Sequence, residues 1–206
     1  MGLDAYISSP FIIHQNEWNG TVSSKRLFHN QKPLNIEIGS GKGKTLLKLG
    51  KMFPDKNFLG LEKTPRCLKV FRDKVEKNPL PNIRIIHCFY ETMLEESIPD
   101  KTIENFIVYF PDPWPKKKHR KRRFLRKNGL AILKKKLLPH GKIYMKTDFL
   151  DYWLEMLETA GNMKGLYVES FGLIRNWKSP FNVTSNYEQK YARLGKELYY
   201  LVVQKI

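Results

Sequence analysis

The sequence is poor in cysteine and has no long apolar run. Its 206 residues include two cysteines, Cys67 and Cys88, which are too few and too isolated for a disulfide framework or a zinc cluster. We therefore expect no metal site and a reducing, cytoplasmic compartment. No run approaches the roughly 20 apolar residues of a membrane-spanning helix, and the N-terminus lacks the basic and apolar regions of a signal peptide. A disulfide scaffold, a zinc domain and an integral membrane protein are thereby excluded.

Acidic residues are scarce relative to basic ones. The chain has 20 Asp and Glu against 37 Lys and Arg, and the resulting formal net charge of +17 predicts a polyanionic partner. An anionic membrane surface would require an amphipathic basic helix or a long apolar span. Nucleic acid is therefore the favoured partner, no membrane is expected, and no feature requires a protein partner.

Length and composition predict one folded domain. Hydrophobic residues make up 41% of the chain and aromatic residues 13%, which is typical of a folded protein. We assign strands to residues 34–38, 57–61, 83–87, 104–110, 141–147, 167–171 and 198–203, and helices to about 44–53, 65–77, 124–138 and 149–159. This alternation predicts an α/β domain over residues 34–206, with a mainly parallel sheet and helices on both faces. Residues 1–33 are interpreted as an N-terminal extension.

A glycine-rich loop, Glu37-Ile38-Gly39-Ser40-Gly41-Lys42-Gly43, joins the first strand to the first helix. Glycines there let the backbone approach a ligand and aim helix N-terminal amides at it. The spacing does not match a dinucleotide fingerprint, which needs a third glycine where Lys44 stands. It does not match a phosphate-binding P-loop either, because that motif needs a glycine at Ile38. A loop that serves only tight strand-to-helix packing is the alternative.

Two acids favour S-adenosylmethionine as the ligand of this loop. Glu37 suits an ammonium or sulfonium group and would repel a pyrophosphate. Glu62, at the end of the second strand, can accept hydrogen bonds from both hydroxyls of a ribose. An adenosyl ligand with an amino-acid tail and no phosphate satisfies both residues.

The stretch Phe106–Arg123, FIVYFPDPWPKKKHRKRR, joins an apolar strand, a turn with three prolines and a basic tract. Ligands of open α/β sheets bind beyond the carboxyl ends of the strands, so Asp112 and Trp114 stand where a reactive site is expected. Seven of the eight residues 116–123 are Lys or Arg and are predicted to bind phosphates. For the basic tract alone, a solvated connection or a localisation signal is the alternative.

Together these segments resemble the bacterial-type tRNA (guanine-N7-)-methyltransferases. The resemblance covers roughly residues 34–206 and rests on EIGSGKG (37–43), GLEK (60–63), FPDPWPKKKHRKRR (110–123), KTD (146–148) and SNYEQKYARLG (185–195). It implies a Rossmann-like class I methyltransferase fold with a seven-stranded sheet. It also implies tRNA as partner, S-adenosylmethionine as cofactor and S-adenosylhomocysteine as product. The implied reaction is methyl transfer to N7 of the guanosine at position 46 in the tRNA variable loop.

The resemblance implies a role for each matching residue. The implied cofactor-binding residues are Glu37, Gly39, Gly41, Glu62 and Asp112, and Asp112 is also the implied catalytic residue. The implied substrate-binding residues are Lys116, Asp148, Ser185, Asn186, Tyr187 and Glu188. The basic residues expected to contact the RNA backbone are Lys117, Lys118, Arg120, Lys121, Arg122 and Arg123.

Two positions depart from the family pattern. Phe89 stands where the family usually has an acid or an amide near the adenine, so stacking and backbone contacts are expected to hold the adenine here. Ser185 stands where the C-terminal motif usually begins with threonine, and Thr184 precedes it. The motif therefore keeps a hydroxyl, and the sequence alone leaves open whether Thr184 or Ser185 takes the place of the family's threonine.

Methylation at guanine N7 needs no general base, because N7 carries a lone pair and no proton. Positioning and electrostatics should therefore dominate, with Asp112 orienting the base or cofactor and stabilising the positive charge of the product. Trp114 either stacks on the guanine or only walls the pocket. Asp148 either contacts the substrate or caps the following helix. Glu188 either contacts the substrate or forms an exposed ion pair with Lys190.

Two rival functions share part of this pattern. A methyltransferase acting on an exocyclic amine has an acidic-Pro-Pro-aromatic loop, and Asp112-Pro113-Trp114 lacks its second proline. A non-catalytic RNA-binding protein on a methyltransferase fold would not need to keep Glu37, Glu62 and Asp112, and all three are present. The identity of the methylated product would distinguish guanine-N7 methylation from the first rival function. Binding of S-adenosylmethionine would distinguish an active methyltransferase from the second.

Overall fold

The computed structural model describes residues 8–206, and over this range the protein has an α/β fold with a mostly parallel eight-stranded sheet. The strands are β1 (Ile12–His14), β2 (Leu34–Ile38), β3 (Asn57–Glu62), β4 (Ile83–His87), β5 (Ile103–Tyr109), β6 (Leu137–Thr147), β7 (Leu166–Leu173) and β8 (Tyr199–Lys205). The helices are α1 (Ser24–Phe28), α2 (Lys44–Met52), α3 (Pro65–Val75), α4 (Tyr90–Thr92), α5 (Lys127–Lys136), α6 (Leu150–Gly161) and α7 (Asn186–Arg193). The predicted fold class is confirmed.

The chain divides into two compact units, one ending at Ile103 and the other beginning at Glu104. In the first unit the strands are ordered β1-β4-β3-β2, and each neighbouring pair is parallel. The carboxyl ends of parallel strands meet at one edge of a sheet. At this edge His14 of β1 pairs with His87 of β4, and His87 pairs in turn with Glu62 of β3.

Strand β1 adds an eighth strand to the seven that were predicted. It has three residues, which is too short a segment to show an alternating apolar pattern in the sequence. It lies within the residues interpreted as an N-terminal extension and pairs in parallel with β4. The boundary between extension and domain at residues 33 and 34 stays a prediction.

Helices α2 and α3 form where apolar residues recur at helical spacing. A Cβ atom on Gly50 of α2 would lie 2.5 Å from the Ile83 side chain, so the glycine permits close packing of α2 on β4. Helix α3 begins at Pro65, as predicted, and Thr64 is its N-cap residue. The Thr64 side chain makes no capping hydrogen bond, so the fixed φ of the proline is the stronger start signal.

In the second unit the strands are ordered β5-β6-β8-β7, and β8 runs antiparallel to both of its neighbours. The apolar run of β5 is buried on both faces, with Phe106, Ile107 and Val108 at most 1% exposed. Several predicted boundaries differ from the structure: α5 begins at Lys127 rather than at residue 124, and α6, β7 and β8 each end two residues later than predicted. Helix α5 ends at Lys136 rather than near residue 138, and β6 begins at Leu137 rather than at residue 141.

That error has a simple physical source. Leu137 continues the helical spacing of Leu130 and Leu133, and all three side chains are buried. The backbone at Leu137 is nevertheless extended, with φ −65° and ψ 142°. A buried leucine fits either period, so the sequence pattern does not mark the change from helix to strand. Within residues 8–206 no helix combines the length and the apolarity needed to cross a bilayer.

Candidate active site

The site residues predicted in the first unit lie at the carboxyl ends of β2 and β3. Glu37 is the penultimate residue of β2, and Glu62 is the last residue of β3. The glycine loop follows β2 directly and leads into α2, whose N-cap is Gly43. The sequence folds this way because an apolar strand, a glycine turn and an amphipathic helix follow one another without a spacer. The loop therefore lies at the edge where parallel sheets bind ligands.

The three loop glycines have left-handed backbones, with φ of +70° at Gly39, +54° at Gly41 and +67° at Gly43. Other residues rarely adopt this conformation. A Cβ atom on Gly43 would collide with the ring of Phe71, so this glycine permits close packing of α2 on α3. No atom lies within 4 Å of the position that a Cβ atom would take on Gly39 or Gly41. The backbone is therefore open to a ligand at the first two glycines and closed at the third.

Glu62 is buried, and two backbone amides fix its carboxylate. The Gly41 amide donates to Oε2 at 2.7 Å, and the Thr64 amide donates to Oε1 at 2.8 Å. The main-chain carbonyl of Glu62 accepts from the amide of Cys88 at 3.0 Å. A carboxylate oxygen can accept two hydrogen bonds. Glu62 is thus held in one orientation and keeps acceptor capacity for a ribose diol.

Glu37 is 4% exposed and only partly satisfied. The side chain of Thr45 and the backbone of Leu46 form hydrogen bonds to the carboxyl group, but Oε2 has no partner among the described residues. Burial raises the pKa of Glu37 well above its usual value, opposed by the Thr45 hydrogen bond and aided by the charge of Glu62. A buried carboxylate with an unsatisfied oxygen is suited to a cationic ligand.

These residues fit S-adenosylmethionine. The orphaned Oε2 of Glu37 matches a cationic amino-acid tail, and the remaining acceptor capacity of Glu62 matches the ribose hydroxyls. The open sides of Gly39 and Gly41 admit a ligand against the backbone. Tight packing, the alternative considered for this loop, accounts for Gly43 and leaves the other two glycines unexplained.

In the second unit, β5 is followed by a proline-rich loop, residues 110–115, whose backbone is unusual and held by hydrogen bonds. Phe110 and Trp114 have positive φ values of 55° and 42°, which are uncommon for residues other than glycine. The Phe110 amide donates to the Lys146 carbonyl at 2.8 Å, and Arg123 Nε donates to the Pro113 carbonyl at 2.7 Å. Asp112 is exposed on this loop. Backbone outliers of this kind cluster at functional sites, which supports the choice of this loop.

The basic tract forms a short 3-10 helix, Lys117–Arg122, with no buried residue. The Arg122 guanidinium lies 4.9 Å from the centroid of the Trp114 ring, and His119 meets the same ring edge-on at 5.8 Å. The Trp114 ring thus packs against the basic tract. This favours a structural role for Trp114, as a wall of the pocket, over stacking on guanine. The exposed basic residues are Lys116, Lys117, Lys118, Lys121 and Arg122.

Arg123 differs from its neighbours because its side chain is 0% exposed. Its guanidinium pairs with Asp151 at 2.8 Å and with Glu155 at 2.5 Å, and it lies 4.8 Å from the centroid of the Tyr152 ring. A phosphate contact was predicted for Arg123, but its donors are bound inside the protein and have no access to solvent. Arg123 instead anchors the basic tract and the carbonyl of Pro113 to α6.

The C-terminal motif opens α7 and brings predicted substrate residues together. Ser185 is the N-cap, and its hydroxyl accepts from the Glu188 amide at 3.0 Å, which fixes the register of the motif hydroxyl at Ser185. The Tyr187 hydroxyl donates to Asp148 at 3.3 Å. The Tyr187 ring lies 4.8 Å from that of Phe110, so α7 contacts the end of β6 and the proline-rich loop.

Glu188 is buried in an ion pair that the sequence analysis missed. Its Oε2 accepts from Lys146 Nζ at 2.9 Å, and Lys146 also donates to the Val183 carbonyl at 3.2 Å. The Lys146 side chain is 0% exposed, and its ammonium lies 4.7 Å from the centroid of the Tyr109 ring. The alternative of an exposed pair with Lys190 is therefore wrong. A lysine inside the buried apolar segment IYMKT was the available signal.

Asp148 does not cap α6. The N-cap is Phe149, with no side-chain cap, and the Phe149 amide donates to the Thr147 hydroxyl at 3.2 Å. Asp148 lies 3.6 Å from Lys196 Nζ and accepts from Tyr187, so the helix-cap alternative is wrong. The predicted residue Asn186 is the first residue of α7, and its side chain lies outside the part of the chain that the structure describes.

Comparison with known sequences finds similarity along most of the chain. A family model described as "Putative methyltransferase" matches residues 31–201. A tRNA (guanine-N(7)-)-methyltransferase from Geobacillus thermodenitrificans is 36% identical over 176 residues, covering 84% of this chain and 80% of the relative. Another, from Enterococcus faecalis, is 33% identical over 184 residues, covering 89% of this chain and 84% of the relative. The residues matched by the family model include the glycine loop, the proline-rich loop and the C-terminal motif.

Solved structures share the fold. An antibiotic-related methyltransferase superimposes with a TM-score of 0.60 at 14% identity, covering 92% of this chain and 97% of the other. Geranyl diphosphate C-methyltransferase from Streptomyces coelicolor A3(2), solved with S-adenosyl-L-homocysteine, has a TM-score of 0.59 at 10% identity, covering 85% of this chain and 70% of the other. At such identities the likeness concerns the fold alone.

Proposed function

This chain belongs to the tRNA (guanine-N7-)-methyltransferase family, and from this we propose that it transfers a methyl group from S-adenosylmethionine to N7 of a guanosine in tRNA. The observation that carries the proposal is the 36% and 33% identity to enzymes of that name over 84% and 89% of the chain. The methylated guanosine is proposed to be that at position 46 in the variable loop, and residues 34–206 are proposed as the catalytic domain. Both details rest on the motifs that the family shares.

The reaction places modest chemical demands on the protein. Guanine N7 carries a lone pair and no proton, so its attack on the methyl group needs no general base. S-adenosylmethionine supplies the electrophilic methyl group when it is bound. The protein must orient the guanine and stabilise the positive charge that develops on it. We assign the second task to Asp112, whose exposed carboxylate is carried by a loop that hydrogen bonds brace at both ends.

The first unit holds the cofactor through four residues. Glu37 binds the amino group of the amino-acid tail, because its buried carboxylate has an unsatisfied oxygen. Glu62 binds the ribose hydroxyls, and the Gly41 and Thr64 amides hold its carboxylate ready. Gly39 and Gly41 admit the ligand against the backbone. S-adenosylhomocysteine, the product, keeps the tail and ribose and is therefore bound by the same residues.

We expect Glu37→Gln to stabilise the ligand-free protein and to weaken cofactor binding. Because burial raises the pKa of Glu37, the folded state binds its proton more tightly than the unfolded chain does. The stabilisation from this proton is complete below the ordinary carboxyl pKa of about 4.3. It is lost as the pH rises toward the raised pKa, and glutamine shows no such loss. The variant should bind S-adenosylmethionine about tenfold or more weakly, since a neutral amide attracts an ammonium less.

Thermal unfolding from about pH 5 to about pH 8 tests the stability half of this prediction. The wild-type Tm should fall relative to that of Glu37→Gln as the pH rises, and exposed Glu96→Gln should follow the wild type. Calorimetric titration with S-adenosylmethionine tests the binding half. A variant with unchanged affinity and a constant Tm difference would contradict both assignments.

In the second unit, six residues are proposed to contact the guanosine or the adjoining tRNA. They are Lys116, Asp148, Ser185, Asn186, Tyr187 and Glu188. The bond between Asp148 and Tyr187 and the capping bond of Ser185 hold several of them in a defined arrangement. Glu188 is oriented by Lys146, and a carboxylate has acceptor capacity beyond one ion pair. A carboxylate that accepts from the amide and amino groups of guanine would select this base.

tRNA is the proposed partner of the basic tract. Lys117, Lys118, Arg120, Lys121 and Arg122 are proposed to bind its backbone. Each neutralised phosphate should steepen the salt dependence of binding by roughly 0.7 to 0.9 log units per log unit of salt. We expect Lys118→Ala to reduce the slope by that amount, and Lys51→Ala, an exposed lysine on α2, to leave it unchanged. Fluorescence anisotropy of labelled tRNA at several salt concentrations gives both slopes, and salt-independent binding is the contrary result.

The direct test of the function uses unmodified tRNA and S-adenosylmethionine. Borohydride and aniline treatment cleaves RNA at N7-methylguanosine, and a single cleavage in the variable loop is expected. Cleavage elsewhere would keep the reaction and change the site. Methylation of an exocyclic amine would support the first rival function. Salt-sensitive tRNA binding without methylation or cofactor binding would support the non-catalytic RNA-binding protein.

A further inference from the structure

A cavity of about 180 Å³ lies at the carboxyl ends of β1 and β4. Its lining residues are His14, Gln15, Asn16, Lys63, His87, Cys88 and Phe89. Lys63 directly follows Glu62, and the Cys88 amide donates to the Glu62 carbonyl at 3.0 Å. The cavity therefore adjoins the residue proposed to hold the ribose. A cavity of about 150 Å³ is known to admit a benzene-sized ring, so this one has room for a planar base.

Strand β1 brings a side-chain amide to this cavity. Gln15 follows β1 directly, and the pairing of His14 with His87 aligns the ends of β1 and β4. The Phe89 amide donates to Gln15 Oε1 at 3.2 Å, so the glutamine side chain reaches the loop after β4. This is the loop where the sequence has Phe89 instead of the acid or amide expected near adenine. The N-terminal segment thus supplies an amide beside the position that lacks one.

Two histidines, His14 and His87, also line this cavity. His14 is 8% exposed, and its Nδ1 lies 3.1 Å from Nδ1 of His87. Its Nε2 is buried and has no hydrogen-bond partner among the described residues. The two histidines and Gln15 make this wall polar. A purine would present ring nitrogens and an amino group to it.

We propose that Gln15 recognises the adenine of S-adenosylmethionine in this cavity and takes the place of the acid or amide missing at Phe89. The inference rests on the proposed function, because it requires this cofactor. A side-chain amide has a donor and an acceptor side by side, and these match the amino group and a neighbouring ring nitrogen of adenine. Phe89 is 66% exposed and offers its ring for stacking. Gln15 is therefore a specificity-determining residue for the cofactor.

Binding of two nucleosides tests this assignment without any methyl transfer. S-adenosylhomocysteine and S-inosylhomocysteine differ in their purine base. The hypoxanthine of the second compound has a carbonyl oxygen where adenine has its amino group, and its N1 carries a hydrogen where N1 of adenine is an acceptor. The wild type should prefer the adenine compound. We expect Gln15→Ala to bind S-adenosylhomocysteine about tenfold more weakly and to lose most of that preference, as removal of a hydrogen-bonding pair implies. Gln31→Ala, an exposed glutamine in the same unit, should match the wild type.

Gln15→Glu keeps the size of the side chain and replaces its NH₂ donor with an acceptor. It should weaken adenine binding and shift the preference toward the inosine compound, whose N1–H the carboxylate can accept. If both variants bind both compounds more weakly by the same factor, Gln15 only holds the loop after β4 in place and does not read the base, and the inference is overturned. Wild-type-like binding by both variants would overturn it as well. If the wild type methylates tRNA in either case, the proposed function stands and only this inference fails.

Discussion

Replacing Asp112 by alanine is expected to lower kcat for tRNA methylation by about 10²- to 10³-fold, the loss that follows removal of one preorganised electrostatic group at a reacting centre. The carboxylate is proposed to stabilise positive charge that the guanine acquires only as the methyl group is transferred. Its loss should therefore act on kcat more than on the Kd for tRNA, which is proposed to depend on the basic tract. Asp112 is exposed, so the Tm should stay close to that of the wild type.

Two further variants identify the cause of that loss. Asp112→Asn keeps the shape and removes the charge, so it should lose nearly as much activity if electrostatic stabilisation is the role. The chain repeats the tripeptide Phe-Pro-Asp at residues 53–55, where Asp55 is exposed. Asp55→Ala thus makes the same change in the same local sequence and should keep full activity. Near-normal turnover of Asp112→Ala in a single-turnover assay would exclude the assigned role.

The sequence predicts the fold well where one signal dominates. The apolar runs of β2, β3, β4 and β5 identify these strands to within one residue, because most of their side chains are buried on both faces and leave little polar alternation to misread. Strand β1 is not predictable in this way. Its three residues acquire strand geometry through pairing with β4, which is a tertiary contact and leaves no periodic trace in the sequence.

The sequence predicts where a site residue lies in the fold better than it predicts the partners of that residue, and the cofactor-binding roles of Glu37 and Glu62 stay predictions. Glu37 and Glu62 lie where their strand ends placed them. Arg123 reads as one more phosphate-binding residue in a basic run, and only the packing of α6 shows that Asp151 and Glu155 bury it. Lys146 was overlooked for the same reason, because its partner Glu188 lies 42 residues further along the chain.

Lys146→Ala is expected to reduce the free energy of unfolding by about 3–5 kcal/mol, which makes it the most destabilising change considered. The substitution leaves Glu188 buried without its counter-ion. It also removes an ammonium group that lies 4.7 Å from the ring centroid of Tyr109 and 5.3 Å from that of Trp177. Urea denaturation measures the loss. Lys142 on the same strand pairs with Glu169 at a partly exposed site, so Lys142→Ala should cost only about 0.2–1 kcal/mol.

The double variant Lys146→Met with Glu188→Gln distinguishes the structural role of the buried ion pair from a role of Glu188 in binding the guanosine. It removes both buried charges, so it should recover much of the stability that Lys146→Ala loses, and the two substitutions should couple strongly in a double-mutant cycle. If Glu188 also contacts the guanosine, the stable double variant will still have a low kcat/KM for tRNA while its affinity for S-adenosylhomocysteine is unchanged. Recovered activity would instead assign Glu188 a purely structural role. Additive stability losses in the cycle would contradict the ion pair itself.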